Sequence, residues 1–262
     1  MRPTIYTARC IEEPITLSFE EGLRLLRLGA VDAEHGIMRF GSNYTFLVTV
    51  RLDDVEALAV YKPRLGEAPL WDFPSGTLCK RELAAFYLSE ALGWDLVPPT
   101  ALREDAPRGL GSLQIFIHHD PNCHYFRFAP RHLPQIKRFL AFDVVANNAD
   151  RKGGHVLLDE ADHIWGIDHG LCFNHVPKLR TVMWEFGPEE TPLAGTPIPD
   201  DVLADLRCLL AKLQTPDDAV LQLLHLLAEE EVAALRRRLT TLINHGTFPM
   251  PRPGGSRPWP PV

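Results

Sequence analysis

The sequence predicts an α+β chain of two lobes, a small antiparallel sheet with one helix followed by a helix-rich half. Three observations carry that expectation. Strand-like segments dominate the first 118 residues, helical periods dominate from residue 133 onward, and a polar run rich in chemistry interrupts the second pattern. The 262 residues, 45% of them hydrophobic, suffice for one large domain or two small lobes. The expected boundaries are an N-lobe with an N-terminal extension over 1–118, a C-lobe over 119–247, and a tail over 248–262.

Residues 19–29 carry a short amphipathic helical pattern, with Leu23, Leu25, Leu26 and Leu28 among charged neighbours. Residues 36–40, 43–50 and 56–62 read as three strands. The second alternates Tyr44, Phe46, Val48 and Val50 with Asn43, Thr45, Leu47 and Thr49. Turn chemistry at Gly41-Ser42-Asn43 and Asp53-Asp54 joins them. A helix over 77–92 stops at Gly93, and strands near 95–101 and 112–118 complete the sheet. In the second half a helix over 133–146 and a hairpin over 155–167 precede helices near 200–213, 216–228 and 229–244. Six prolines and two glycines in 248–262 predict an extended or disordered tail that is dispensable for folding.

The formal charge of −7 argues against nucleic acid, which needs clustered Lys and Arg. No apolar run reaches membrane-spanning length, and Glu12, Glu13, Glu20 and Glu21 interrupt the region where a signal peptide needs an apolar core. A cytoplasmic chain is expected. Cys10, Cys79, Cys123, Cys172 and Cys208 are odd in number and form no C-x-x-C pair, so they read as reduced thiols.

In Ala57-Leu58-Ala59-Val60-Tyr61-Lys62 the period of two puts Leu58, Val60 and Lys62 on one face, so a cation ends an apolar stripe. A lone lysine there reads more readily as a strand end reaching into water. Glu82 shifts the balance: four residues after Leu78 and four before Phe86, it lies in the inward stripe of its helix and needs a partner. A strand lysine followed by a helix glutamate suits a clamp on nucleotide phosphates, with Lys62 touching the phosphates and Glu82 orienting it. Ser42 and Asn43 are a candidate phosphate cover, or a plain hairpin turn. Val60 is a candidate cofactor-binding residue, and the backbone of Phe116, Ile117 and His118 either faces an adenine or is plain core strand.

The polar run is Asn147-Asn148-Ala149-Asp150-Arg151-Lys152-Gly153-Gly154-His155, and Gly166-Ile167-Asp168-His169-Gly170 follows it. Asp150 is placed to orient an acceptor hydroxyl or take its proton, and Asp168 to offer a hard oxygen to a metal. Two short apolar strands, 156–158 and 164–167, bring His155 and Asp168 to one end of a ladder. His155 and Asp168 are therefore the candidate metal ligands, for Mg2+ or Mn2+. His118, His119, His124, His163, His169 and His175 form no H-x-x-x-H pattern, leaving a zinc-hydrolase reading a minor one.

On these residues the chain resembles the phosphatidylinositol 3- and 4-kinase-like branch of the kinase superfamily, and within it a small group of bacterial kinase-like proteins. The family's Asp-Arg-His-x-x-Asn corresponds to Asp150-Arg151-Lys152-Gly153-Gly154-His155, and its Asp-Phe-Gly to Asp168-His169-Gly170. The resemblance spans roughly 36–245 and is specific across 142–173. It implies a two-lobed protein-kinase-like fold with ATP in the cleft, a catalytic Asp150 and a metal-binding Asp168. Lys152 stands where lipid kinases have a catalytic His, and His155 replaces their metal-binding Asn, so the lipid acceptor does not carry over. His175, Lys178 and Arg180 after Gly170 read either as acceptor-binding groups or, more simply, as a solvated loop. The expected activity is ATP-dependent phosphate transfer to an unidentified acceptor, whether lipid, protein or small molecule. The alternatives are a nucleotide-binding interaction protein without turnover and an AMP transferase on the same fold.

Overall fold

A computed structural model describes residues 2–10, 13–38, 44–187 and 189–262. Strands β1 (Ile5–Cys10) and β2 (Glu13–Leu17) pair as an antiparallel hairpin. Helix α1 (Phe19–Leu28) starts at a capping box, where Ser18 Oγ accepts from the Glu21 amide at 3.2 Å and Glu21 Oε2 accepts from the Ser18 amide at 2.8 Å. Strands β3 (Ala30–Met38), β4 (Thr45–Leu52) and β5 (Val55–Pro63) form a meander. Helix α2 (Leu78–Leu92) ends at Gly93, whose left-handed φ of 67° only glycine adopts freely. Strands β6 (Thr100–Arg103) and β7 (Gly111–Ile115) then complete a five-stranded antiparallel sheet of order β3-β4-β5-β7-β6.

Two features of this lobe go beyond the sequence expectation. Helix α1 joins α2 on the sheet, because Phe19, Leu25 and Leu26 are buried and the Phe19 ring stacks on Phe86 at 6.1 Å. The β1–β2 hairpin covers the opposite face of the sheet: Ala8 packs with Leu47 and Leu58, and the His118 amide donates to Tyr6 O at 2.8 Å. This explains why both alternating sets of β4, Phe46, Val48 and Val50 on one side and Leu47 and Thr49 on the other, are buried.

The second lobe holds α3 (Leu133–Ala146), the hairpin β8 (Val156–Leu158) with β9 (Ile164–Gly166), and a small ladder of β10 (Glu185–Phe186) with β11 (Thr191–Pro192). Helices α4 (Asp200–Lys212), α5 (Asp218–His225) and α6 (Glu229–His245) complete it. Phe139, Phe142, Trp165, Leu206 and Leu235 sit fully buried in a core continuous with that of the first lobe. The two lobes are those of a kinase-like fold. Among the described residues no helix is long and apolar enough to cross a membrane.

The tail has neither helix nor strand, and it packs where its composition suggested a free segment. Phe248 is 1% exposed, and its carbonyl accepts from the Gly195 amide at 3.0 Å. Ser256 O accepts from the Thr181 amide at 3.0 Å and from Trp184 Nε1 at 2.8 Å. Pro261 O accepts from the Gly153 amide at 2.7 Å. The physical reason is that every residue of an extended segment offers a backbone carbonyl, so the tail satisfies donors along the lobe through Phe248, Ser256 and Pro261 without repeating structure of its own.

Candidate active site

The two lobes meet at Lys62. Strand β5 places it opposite Ser112 of β7, at the end of the stripe that also carries Leu58 and Val60. Its ammonium pairs with Glu82 Oε1 and lies 3.0 Å from Asp168 Oδ1. Glu82, buried in α2 with Leu78 and Phe86, turns its other oxygen to the second lobe, where Oε2 accepts the His169 amide at 2.9 Å. One carboxylate thus fixes both the lysine and the turn that presents Asp168. Burial works against the charge on Lys62, yet Asp168 and Glu82 together hold it above the ordinary lysine range. Lys62 in turn holds the Asp168 carboxyl well below the usual carboxylate range. Asp168 is half exposed, and its backbone is left-handed at φ 59°, a conformation Asp tolerates better than most residues.

The loop carrying Asp150 hangs from buried polar groups. Helix α3 ends at Asn147, a left-handed cap at φ 54°. The Asn147 amide nitrogen donates to the carbonyls of Asn174 and Val176 at 2.8 Å each, and its oxygen accepts from the Lys178 amide at 2.8 Å. Asn148 donates to Asp143 Oδ1 and accepts from the Asp150 amide, both at 3.0 Å. Arg151 is fully buried. Its Nε donates to both oxygens of Asp143 at 3.1 Å, its Nη1 to the carbonyls of His155 and Ile167 at 3.2 and 2.8 Å, and its Nη2 to His169 Nε2 at 2.7 Å. A buried guanidinium is tolerated because its donors are satisfied in this way. The loop that carries Asp150 and the turn that carries Asp168 are thus tied to one shared set of buried groups.

Asp150 Oδ2 lies 3.2 Å from Lys152 Nζ. Desolvation raises the Asp150 carboxyl, with Lys152 working against it, which makes it a better proton acceptor than an exposed aspartate. His155 Nε2 lies 3.3 Å from Asp168 Oδ2, and its Nδ1 accepts from the Lys152 amide at 3.4 Å. Burial pushes the His155 imidazole down to about 4, against the pull of Asp168, so the ring is neutral near pH 7. An anionic oxygen and a neutral imidazole on one mouth fit a divalent cation. Among the described residues no group of three or more His, Cys, Asp or Glu side chains is assembled for a metal. A cation here would therefore draw its other ligands from phosphate and water, as Mg2+ commonly does.

The remaining candidates are placed less simply. The amides of Phe116 and His118 are engaged by Leu58 O at 3.1 Å and Tyr6 O at 2.8 Å, and Ile117 is buried. Ser42 and Asn43 lie outside the described residues. Lys178 pairs with Asp72 at 2.7 Å, His175 is exposed, and the Arg180 charge acts on Asp150, where it favours the carboxylate. Sequence reasoning passed over Asp143 and gave Asn147, Asn148 and Arg151, though within the polar run, no role of their own. The available signal was Asp143 itself, a carboxylate inside the run Phe139-Leu140-Ala141-Phe142-Asp143-Val144-Val145, which demands a buried partner as Glu82 does.

Comparison with known proteins places the chain among kinases. The family model for phosphatidylinositol 3- and 4-kinase matches residues 31–238. Protein Rv2133c of Mycobacterium tuberculosis is 37% identical, covering 86% of this chain and 90% of its own. Phosphatidylinositol 4-kinase gamma 4 of Arabidopsis thaliana is 30% identical over 42% of this chain, and gamma 2 is 24% identical over 80%. The matches span 24% and 44% of those plant kinases. The solved structure of hydra Fam20 with sugar aligns at 14% identity with a TM-score of 0.49, covering 87% of each chain.

Proposed function

Because the chain belongs to the phosphatidylinositol 3- and 4-kinase family, we propose that it is an ATP-dependent phosphotransferase acting on a hydroxyl-bearing acceptor. The observation that carries this reading is the Lys62 ammonium held between Glu82 and Asp168. A cation so placed on the roof of the cleft can exchange part of its contact with Asp168 for a phosphate oxygen, while Glu82 keeps it aimed. Val60 lines the roof beside it. With the Phe116 and His118 amides engaged, adenine recognition falls to the remaining backbone groups of 116–118, and Ser42 and Asn43 are proposed as the phosphate cover.

Asp150 orients the acceptor hydroxyl and takes its proton. The acceptor oxygen bonds to the γ-phosphorus, the bond from that phosphorus to the β-γ bridging oxygen breaks, and ADP leaves. Lys152, at the position of the family's histidine, holds the Asp150 carboxylate in place. Asp168 and His155 would hold a divalent ion, Mg2+ or Mn2+, which would supply charge neutralisation for the phosphates. The free cysteines fit a cytoplasmic setting.

The test is calorimetry with ATP and either cation, followed by an acceptor screen that follows ADP release. No ATP binding with either ion would sink the proposal. Tight binding without ADP release for any acceptor or for water would leave a nucleotide-binding interaction protein instead.

A further inference from the structure

Away from the cleft, a cavity of about 600 Å3 opens between the C-terminal end of α3, residues 175–184, α6 and the tail. That volume falls within the span of small-molecule pockets. Its charge is unlike the rest of the chain. Arg237, Arg238 and Arg252 line it, with His175 and His245, and no carboxylate does, although the protein carries a formal charge of −7. Among the described residues none of these three arginines forms an ion pair. Arg238 is short of partners. Its Nε donates to Val145 O at 2.8 Å and its Nη1 to Asn174 O at 3.4 Å, but its Nη2 is buried without an acceptor. Burial, with neighbouring Arg237 acting the same way, also holds its pKa down to about 10 against the pull of Cys172 and Glu231. The rest of the wall is mainly apolar, including Val144, Leu179, Trp184, Leu242 and Met250.

Three arginines without an anion beside an aliphatic wall are complementary to a molecule with one anionic end and one alkyl end. A bare anion would leave the apolar surface wet, and a neutral lipid would leave Arg238 unsatisfied. We infer that this cavity is a second ligand site, separate from the cleft, for a single-chain anionic amphiphile. Its phosphate or carboxylate head meets Arg237, Arg238 and Arg252, and its chain runs along Val144, Leu242 and Met250.

The test is calorimetry of the full chain with dodecyl phosphate below its micelle-forming concentration, beside inorganic phosphate and dodecanol. Replacement of Arg238 would also free the carbonyls of Val145 and Asn174 and could unfold the region, so the variant used is Arg237→Gln with Arg252→Gln, both exposed. The expected result is saturable one-to-one binding of dodecyl phosphate that weakens about tenfold in the double variant, with an unchanged melting temperature. Met250→Trp, which narrows the cavity from an exposed position, should also weaken it. The inference is overturned if dodecyl phosphate does not bind, if inorganic phosphate or dodecanol binds as tightly, or if the double variant binds as well as the parent. ATP affinity is read separately, so failure here leaves the kinase reading intact.

Discussion

Lys62 Nζ and Asp168 Oδ1 lie 3.0 Å apart across 106 residues of sequence, one on a strand of the first lobe and the other on a turn of the second. The contact makes the cleft an electrostatic unit. Substitution on either side alters the other, and the predictions below follow from that coupling and from the buried groups around it.

Lys62→Ala and Glu82→Ala should each weaken ATP binding, by tenfold or more, whereas Asp150→Asn should spare binding and abolish transfer. In the proposed mechanism Lys62 acts on the bound ground state, while Asp150 matters chiefly as the acceptor proton moves. Removal of Lys62 also leaves Glu82 buried without its cation, so a stability loss of about 3 kcal/mol should accompany it. Calorimetry with a parallel urea titration separates the two effects. Unchanged ATP affinity in a folded Lys62→Ala sinks the clamp.

His155→Asn should keep or improve use of Mg2+ and reduce the preference for Mn2+. With Nδ1 accepting from the Lys152 amide, the ring proton sits on Nε2 and points to Asp168. To ligate through Nε2 the ring must shift that proton to Nδ1 and give up the Lys152 contact. An amide oxygen needs no such exchange, and it is the harder ligand. ATP titrations with each ion in both proteins measure the ratio; an identical ratio means that His155 is not a ligand.

Acid should destabilise the protein between pH 6.5 and about 4. In the fold His155 is held down to about 4 and His169, buried against Arg151, well below its ordinary value. The unfolded chain takes up protons on these rings as pH falls below 6.5, while the folded chain does not, so stability present above 6.5 is lost toward 4. For His155 the loss is on the order of 3 kcal/mol. Urea unfolding at pH 7 and pH 4.5 should show it, and His155→Asn should shrink the difference. Equal losses in both proteins would remove His155 as the cause.

Truncation after Gly246 should lower the melting temperature by many degrees, contrary to what the composition of 248–262 suggests. It removes the buried Phe248 ring, alone worth about 3 kcal/mol, and strips acceptors from the Thr181 and Gly153 amides. A thermal scan decides. A truncated chain that melts with the parent would show that the tail contributes nothing to the core.

Much of the cleft was legible because its chemistry interrupts a regular pattern. Lys62 ends an apolar stripe, Glu82 sits in the buried face of α2, and the hairpin at 156–166 brings His155 to Asp168. Pattern failed where partners are remote. Nothing near Tyr6 announces that its carbonyl receives His118, and nothing local pairs Arg151 with Asp143 except that each is a charge without a nearby solvated face. The tail was misleading for a related reason: its packing uses backbone acceptors, which composition does not reveal.

Arg81, the neighbour of Glu82, is buried with its Nη1 on Cys172 O at 2.7 Å and its Nη2 on Glu231 of α6 at 2.5 Å. Two successive residues of α2 are therefore bolted to the second lobe, one to the turn after Asp168 and one to α6. Separation of the lobes must break a buried ion pair and a buried amide contact together. On the proposed kinase reading the consequence is kinetic: departure of ADP would wait on that opening, so a pre-steady-state burst should precede slow turnover, and Arg81→Lys should quicken the slow phase while leaving the burst in place.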